Sequence, residues 1–261
     1  MAVPRPTPTE VLEALTTEIR AALGEDLVGL YVYGSYVSGG FDPVASDLDL
    51  VAVLASEVGD GHVARLGSLH DDFVRDHPDW NNRIDVVYIG RASLAGFRDG
   101  RGSFAVISPG EPFHVRTDVA DWLQSWYLLR ETSRPLVGVD ATQHVPPIAR
   151  AEFVAALVGN LERLRAQARD SPMPGFLAYI VLTFCRALMT VLANAEPSKA
   201  EAAAWTRNRM PEWAWLIDVA LECRQSGGRV GLDDETSRAA ARAFIDVLAD
   251  DIRQASGVGP G

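Results

Sequence analysis

Three acidic residues stand out by type and spacing. Asp47 and Asp49 lie two apart in Ser46-Asp47-Leu48-Asp49, and Asp85 interrupts the apolar, β-branched run Ile84-Asp85-Val86-Val87-Tyr88-Ile89. Strand side chains alternate between faces, so Asp47 and Asp49 project to the same side. Paired carboxylates are hard oxygen ligands suited to Mg²⁺, which takes one or two of them together with substrate phosphates. Upstream, Gly34-Ser35 ends another apolar run. There the glycine permits a close backbone approach, and the serine offers a hydroxyl and an N–H to a phosphate oxygen. Either motif alone is a weak signal. Both in order, separated by a short Gly/Pro loop and each leaning on an apolar strand, point to a metal and a triphosphate.

Asp85 leaves two readings open, because a buried carboxylate without a partner is costly. In one it faces solvent with Arg83 and Val87. In the other the strand carrying it lies beside the Asp47–Asp49 strand, and it becomes a third carboxylate, either a ligand to a second metal or a general base toward an attacking hydroxyl.

The elements that must hold these residues follow from local pattern. The Pro-rich start, residues 1–8, is expected to be loose, with Thr9 capping a helix that Gly24 ends. Strands are expected at Val28–Tyr33, Leu48–Leu54 and Arg83–Ile89, with a helix over Val63–Arg75 closed by His77-Pro78. From Ala92 to Pro112 the Gly, Ser and Arg content gives no assignable element. Asp118–Glu131, with Trp122, Trp126 and Tyr127, reads as a helix packed on the sheet, and Arg134–Gly138 as a short edge strand. Val145-Pro146-Pro147 marks a boundary. Beyond it, Ala149–Asp170, Gly175–Asn194, Ser198–Met210, Pro211–Arg224 and Asp233–Arg253 all read as helices. The fold class is therefore α+β: a mixed β-sheet domain with flanking helices over residues 1–145, and an all-α antiparallel bundle over 146–261.

Two cations in the bundle call for an explanation. Arg186 sits in the most apolar helix, where a guanidinium must find an anion. Lys199 sits in a first helical turn, where the macrodipole disfavours positive charge unless a bound anion compensates. Both could grip a triphosphate. Alternatively, Arg186 pairs with a buried acid and Lys199 stays in water.

Composition narrows the partners. With 261 residues, 48% of them hydrophobic and 23% charged, the chain can build a sizeable core. A net charge of −11 argues against a nucleic-acid binder and favours a cationic small molecule. Cys185 and Cys223 fall in apolar helical segments and read as buried spectators. The start of the sequence lacks the apolar core of a signal peptide. Phe176–Ala193, interrupted by Arg186, is expected to be too short and too polar to cross a membrane. A cytoplasmic monomer is the expectation.

Gly34-Ser35 followed by Ser46-Asp47-Leu48-Asp49 resembles the polymerase-β-like nucleotidyltransferases. The C-terminal half resembles the helical domain of the aminoglycoside (3'')(9) adenylyltransferases. That likeness is carried by Val181 to Arg186, Pro197-Ser198-Lys199, Ala203-Ala204-Trp205 and Arg209-Met210-Pro211. The resemblance implies ATP in a cleft between domains and Mg²⁺ on Asp47 and Asp49, with Asp85 as a further metal ligand or as the base. It places Gly34, Ser35, Ser46, Arg186 and Lys199 among the nucleotide-binding residues, and the acceptor hydroxyl would attack the α-phosphorus and expel pyrophosphate. The chain departs from the family in having aspartate where the base is usually glutamate. It has no acid between Ser171 and Arg186, and Phe104, Phe113 and His114 stand in the region of a substrate-stacking tryptophan. The implied activity is ATP- and Mg²⁺-dependent adenylylation of a small-molecule hydroxyl, on an aminoglycoside or related antibiotic. An inactive nucleotide-binding regulator and an enzyme adenylylating a protein are the alternatives.

Overall fold

Thr7 caps the first helix. Its side chain accepts from the Glu10 backbone N–H at 3.3 Å, while the Glu10 carboxylate accepts from the Thr7 N–H at 2.7 Å. That reciprocal cap, with Pro8 in the first turn, starts α1 (Pro8–Leu23) two residues before the expected Thr9. The computed structural model describes residues 6–171, 173–227 and 231–258, so most of the expected loose start lies outside the described residues.

By internal contacts the chain divides into two compact units, Met1–Val37 with Ser46–Ile148, and Ser38–Ala45 with Ala149–Gly261. The first unit holds a six-stranded sheet in the order β5-β4-β3-β2-β1-β6. Its strands are β1 (Leu27–Tyr33), β2 (Leu48–Leu54), β3 (Ile84–Gly90), β4 (Phe104–Ser108), β5 (Glu111–Arg116) and β6 (Arg134–Gly138). A four-residue helix, α2 (Ser35–Ser38), follows β1. Only β2 and β3 run parallel. A parallel pair needs a crossover, which α3 (Asp60–Asp76) supplies. α4 (Arg91–Ala95) and α5 (Leu123–Thr132) complete the unit, α5 being preceded by a 3₁₀ turn over Val119–Trp122.

Strands β1, β2 and β3 are buried on both faces, as strands covered by helices on either side must be. One face carries Tyr31, Val51, Val53, Val87 and Ile89 and packs with Phe104, Trp126 and Leu129. Trp126 is fully buried yet satisfied, its indole N–H donating to the Val119 carbonyl at 2.8 Å. On the other face lie Leu30, Val32, Leu50 and Tyr88, all fully buried, and α3 reaches them through His70 Nε2, 2.9 Å from the Tyr88 hydroxyl. The β4–β5 hairpin fills the stretch that had no assignable element. Its outer strand is half exposed with no fully buried residue and shows no hydrophobic alternation, so a sequence window contains no strand period to detect.

The second unit contains α6 (Arg150–Asp170), α7 (Pro174–Ala193), α8 (Lys199–Arg209), α9 (Ala214–Gln225) and α10 (Glu235–Ser256). α7 packs against each of the other four and buries eleven residues. Its length and apolarity do reach those of a membrane span, contrary to the expectation from sequence, but 61% of its most apolar window is buried inside the unit. It is a core helix.

Candidate active site

β1 and β2 pair so that Tyr33 lies opposite Asp49, and β2 and β3 so that Asp49 lies beside Asp85. The three side chains share one sheet face and continue the row of Tyr31, Val51 and Val87 to its end. Asp85 therefore does not turn out to solvent. Burial first, then the nearby charges of Asp47 and Glu111, push its carboxyl up from 3.8 to about 7, against the lowering effect of a hydrogen bond from Ser108. Tyr33 is held protonated by burial and by the charges of Asp49 and Asp85.

Gly34 has φ +65°, the left-handed region, and a Cβ built there would overlap Asp49 Oδ2. Only glycine lets the chain turn out of β1 against that carboxylate. Ser35 follows as the first residue of α2, and the Val37 N–H closes the turn on the Gly34 carbonyl at 3.2 Å. Ser46, 2% exposed, is tied down by Arg83, whose Nε and Nη2 donate to its carbonyl at 3.1 and 2.7 Å. The Leu48 N–H donates to the Arg83 carbonyl at 2.9 Å, and the guanidinium rests 4.3 Å over the buried Trp80 ring. Arg83 is thus a clamp on the Ser46-Asp47 backbone.

Among the described residues no three His, Cys, Asp or Glu side chains form a group ready to hold a metal ion. Two hard carboxylates beside a glycine-serine turn nevertheless suit Mg²⁺, which completes its shell with substrate phosphates and water rather than an all-protein cage. The cleared space at Gly34 for Asp49 Oδ2 fits such a donor set.

The sheet unit therefore brings together Gly34, Ser35, Ser46, Asp47, Asp49 and Asp85. Arg186 and Lys199 belong to the helical unit. Arg186 is exposed, not enclosed in the apolar helix. The α7 face that also carries exposed Gly175 and Tyr179 opens at residue 186, so its guanidinium needs no buried counterion. Lys199 opens α8 behind the Ser198 cap, its Nζ 4.3 Å over the Tyr179 ring. A π face eases a cation at a helix N-terminus. Lys199 and Tyr179, but not Arg186, line a cavity of about 280 Å³ within this unit. Phe104, paired with Ile89, is fully buried against Trp122 and Trp126 at the far end of the acid-bearing face, whereas Phe113 packs on His70 and Tyr88 on the opposite one.

Residues 143–251 match the family described as aminoglycoside adenylyltransferase, C-terminal domain. That segment belongs to this domain family. The fold of the chain is similar to the crystal structure of spectinomycin adenyltransferase AAD(9) from Enterococcus faecialis with ATP and spectinomycin. The TM-score is 0.72 at 18% identity, over 94% of this chain and 99% of that one. A comparison with curated proteins finds no match. Sheet unit and adenylyltransferase C-terminal domain together have the architecture of a nucleotidyltransferase, which is the enzyme class of this chain.

Two residues at the site escaped the sequence. Arg83 has the look of an ordinary strand-end cation, and Ser108 lay in the unassigned stretch; only the strand pairing shows what either touches.

Proposed function

We propose that the chain transfers AMP from ATP to a hydroxyl of a small-molecule antibiotic of the aminocyclitol or aminoglycoside kind, with Mg²⁺ as the metal, in the cytoplasm. The observation that carries this reading is the register that sets Asp49 beside Asp85 at the strand ends, with Gly34 making room for the Asp49 carboxylate. Asp47 and Asp49 are the residues that would hold Mg²⁺, which when bound neutralises phosphate charge and acidifies the acceptor hydroxyl. Ser35, with its hydroxyl and N–H, and the Ser46 side chain hold phosphate oxygens. Arg186 and Lys199 are the cations proposed for the triphosphate. Asp85 takes the acceptor's proton, for which a carboxyl raised to about 7 is well matched near neutral pH. The acceptor oxygen then bonds to the α-phosphorus as pyrophosphate leaves. The AAD(9) structure, with ATP and spectinomycin, supports the substrate class, and the net charge of −11 favours a cationic acceptor.

The test is pyrophosphate release from ATP and Mg²⁺ over a panel of spectinomycin, streptomycin and other aminoglycosides. Turnover with at least one compound is expected. Asp47→Asn and Asp49→Asn should each lower it at least ~100-fold, the scale of losing electrostatic stabilisation by the Mg²⁺ they would hold, with an unchanged circular dichroism spectrum. Wild-type rates in both variants would end the reading.

A further inference from the structure

We infer that Ser108 is a positioning residue, the one that fixes the orientation of the Asp85 carboxylate, an inference that rests on the proposed role of Asp85 as proton acceptor. β3 and β4 are antiparallel with Val86 opposite Ile107, so the next rung sets Asp85 across from Ser108. The Ser108 hydroxyl donates to Asp85 Oδ1 at 3.0 Å. Ser108 does not depend on that bond for its own place. The β4–β5 ladder shifts register between Val106 and Ser108 and resumes with Ser108 opposite Glu111. Irregularities of this kind re-aim the side chain that follows. The hairpin tip is pinned a second time, by the Gly110 N–H donating to Asn82 Oδ1 at 3.3 Å in the turn before β3. Backbone therefore delivers the hydroxyl, and the hydroxyl holds the acid.

The acid needs holding. Asp85 sits beside Asp49 in the parallel register, and repulsion between two carboxylates favours rotation of one away from the other. An aspartate has one side-chain torsion fewer than a glutamate but a carboxylate that spins about its last bond over a broad range. With Oδ1 engaged by Ser108, that spin stops and Oδ2 is the oxygen left for the acceptor's proton. A base must lie within hydrogen-bond reach of the proton it removes, and misplacement by an ångström costs about 100-fold.

The experiment compares wild type, Ser108→Ala, Ser108→Thr, Asp85→Asn and the Asp85→Asn/Ser108→Ala double variant. Each is assayed with ATP, Mg²⁺ and spectinomycin, and high-resolution crystal structures are solved for wild type and Ser108→Ala. Ser108→Ala should lower kcat roughly 10- to 100-fold with the KM for ATP unchanged. Ser108→Thr keeps the hydroxyl on the same carbon and should restore most of the rate. In the Asp85→Asn background the alanine should change nothing further, since Ser108 acts through Asp85. The wild-type crystal should show one Asp85 carboxylate orientation and the Ser108→Ala crystal more than one. A single unchanged orientation in Ser108→Ala overturns the inference whatever the acceptor. So does an equal loss in Ala and Thr variants, or a further loss in the double variant, because either marks a merely structural residue. Full activity in Asp85→Asn would sink the role of Asp85 itself. An inactive Asp85→Asn beside a fully active Ser108→Ala would sink only that of Ser108.

Discussion

Gly34 shows how tightly single residues are specified at the site. The backbone there is left-handed, and the space a Cβ would fill belongs to Asp49 Oδ2. Gly34→Ala should therefore cost about 1–3 kcal/mol from backbone strain and also displace the carboxylate. A lowered melting temperature is expected, and, on the proposed function, Mg²⁺ and ATP should raise the melting temperature of the wild type further but not that of the variant. A variant that melts and responds like wild type would show that the glycine is not needed for Asp49. Arg83 illustrates the opposite case, a side chain whose role no local pattern reveals. Its forked donors match one carbonyl, that of Ser46, and its flat face matches Trp80. Neither partner can be guessed from the sequence around it.

At the scale of elements, β3 is held from both sides by different chemistry. Toward α3, its Tyr88 meets His70, which burial pushes from 6.5 down to about 4. The folded state refuses a proton that the unfolded chain accepts. This contribution is complete above pH 6.5 and is lost as pH falls toward 4, amounting to about 3 kcal/mol at full loss. On the opposite face Asp85 has the reverse sign. Raised to about 7 from 3.8, it binds a proton in the folded state first, so its contribution is lost as pH rises through that window. The two slopes oppose each other between pH 4 and 6.5, so each masks the other in the wild type. The difference between wild type and His70→Leu isolates the histidine. In urea melts the wild type's margin over the variant should shrink as pH falls from 7 to 4, and a constant margin would mean that His70 carries its proton in the folded protein. β1 to β3 and α7 were legible in the sequence because hydrophobic period and Gly or Pro punctuation are local. The β4–β5 hairpin was not, since an exposed edge strand has no buried face to impose a period.

For the whole molecule, the segment Ser38–Ala45 matters most. It joins Gly34-Ser35 to Ser46-Asp47, yet by contacts it belongs to the helical unit, where a Cβ on Gly40 would overlap Ser198. Ser198 caps α8, its side chain accepting from the Glu201 N–H at 3.2 Å and the Glu201 carboxylate from its own N–H at 2.8 Å. Gly40→Val should displace that cap and lower stability by about 1–2 kcal/mol. Chemical denaturation of the full chain reads this, and an undiminished stability would show that the segment is not packed on α8. The sequence by itself determined the order and type of most elements, the glycine-serine turn, an acid at the start of β2 and an all-helical second half. These follow from alternation, helical spacing and turn residues, which act over a few neighbours. Tertiary structure decided that Asp85 stands beside Asp49, that Ser108 bonds to Asp85 and Arg83 to the Ser46 carbonyl, and that Arg186 is exposed. Those facts depend on which distant strands and helices become neighbours and in what register, and nothing within a short window of chain encodes them.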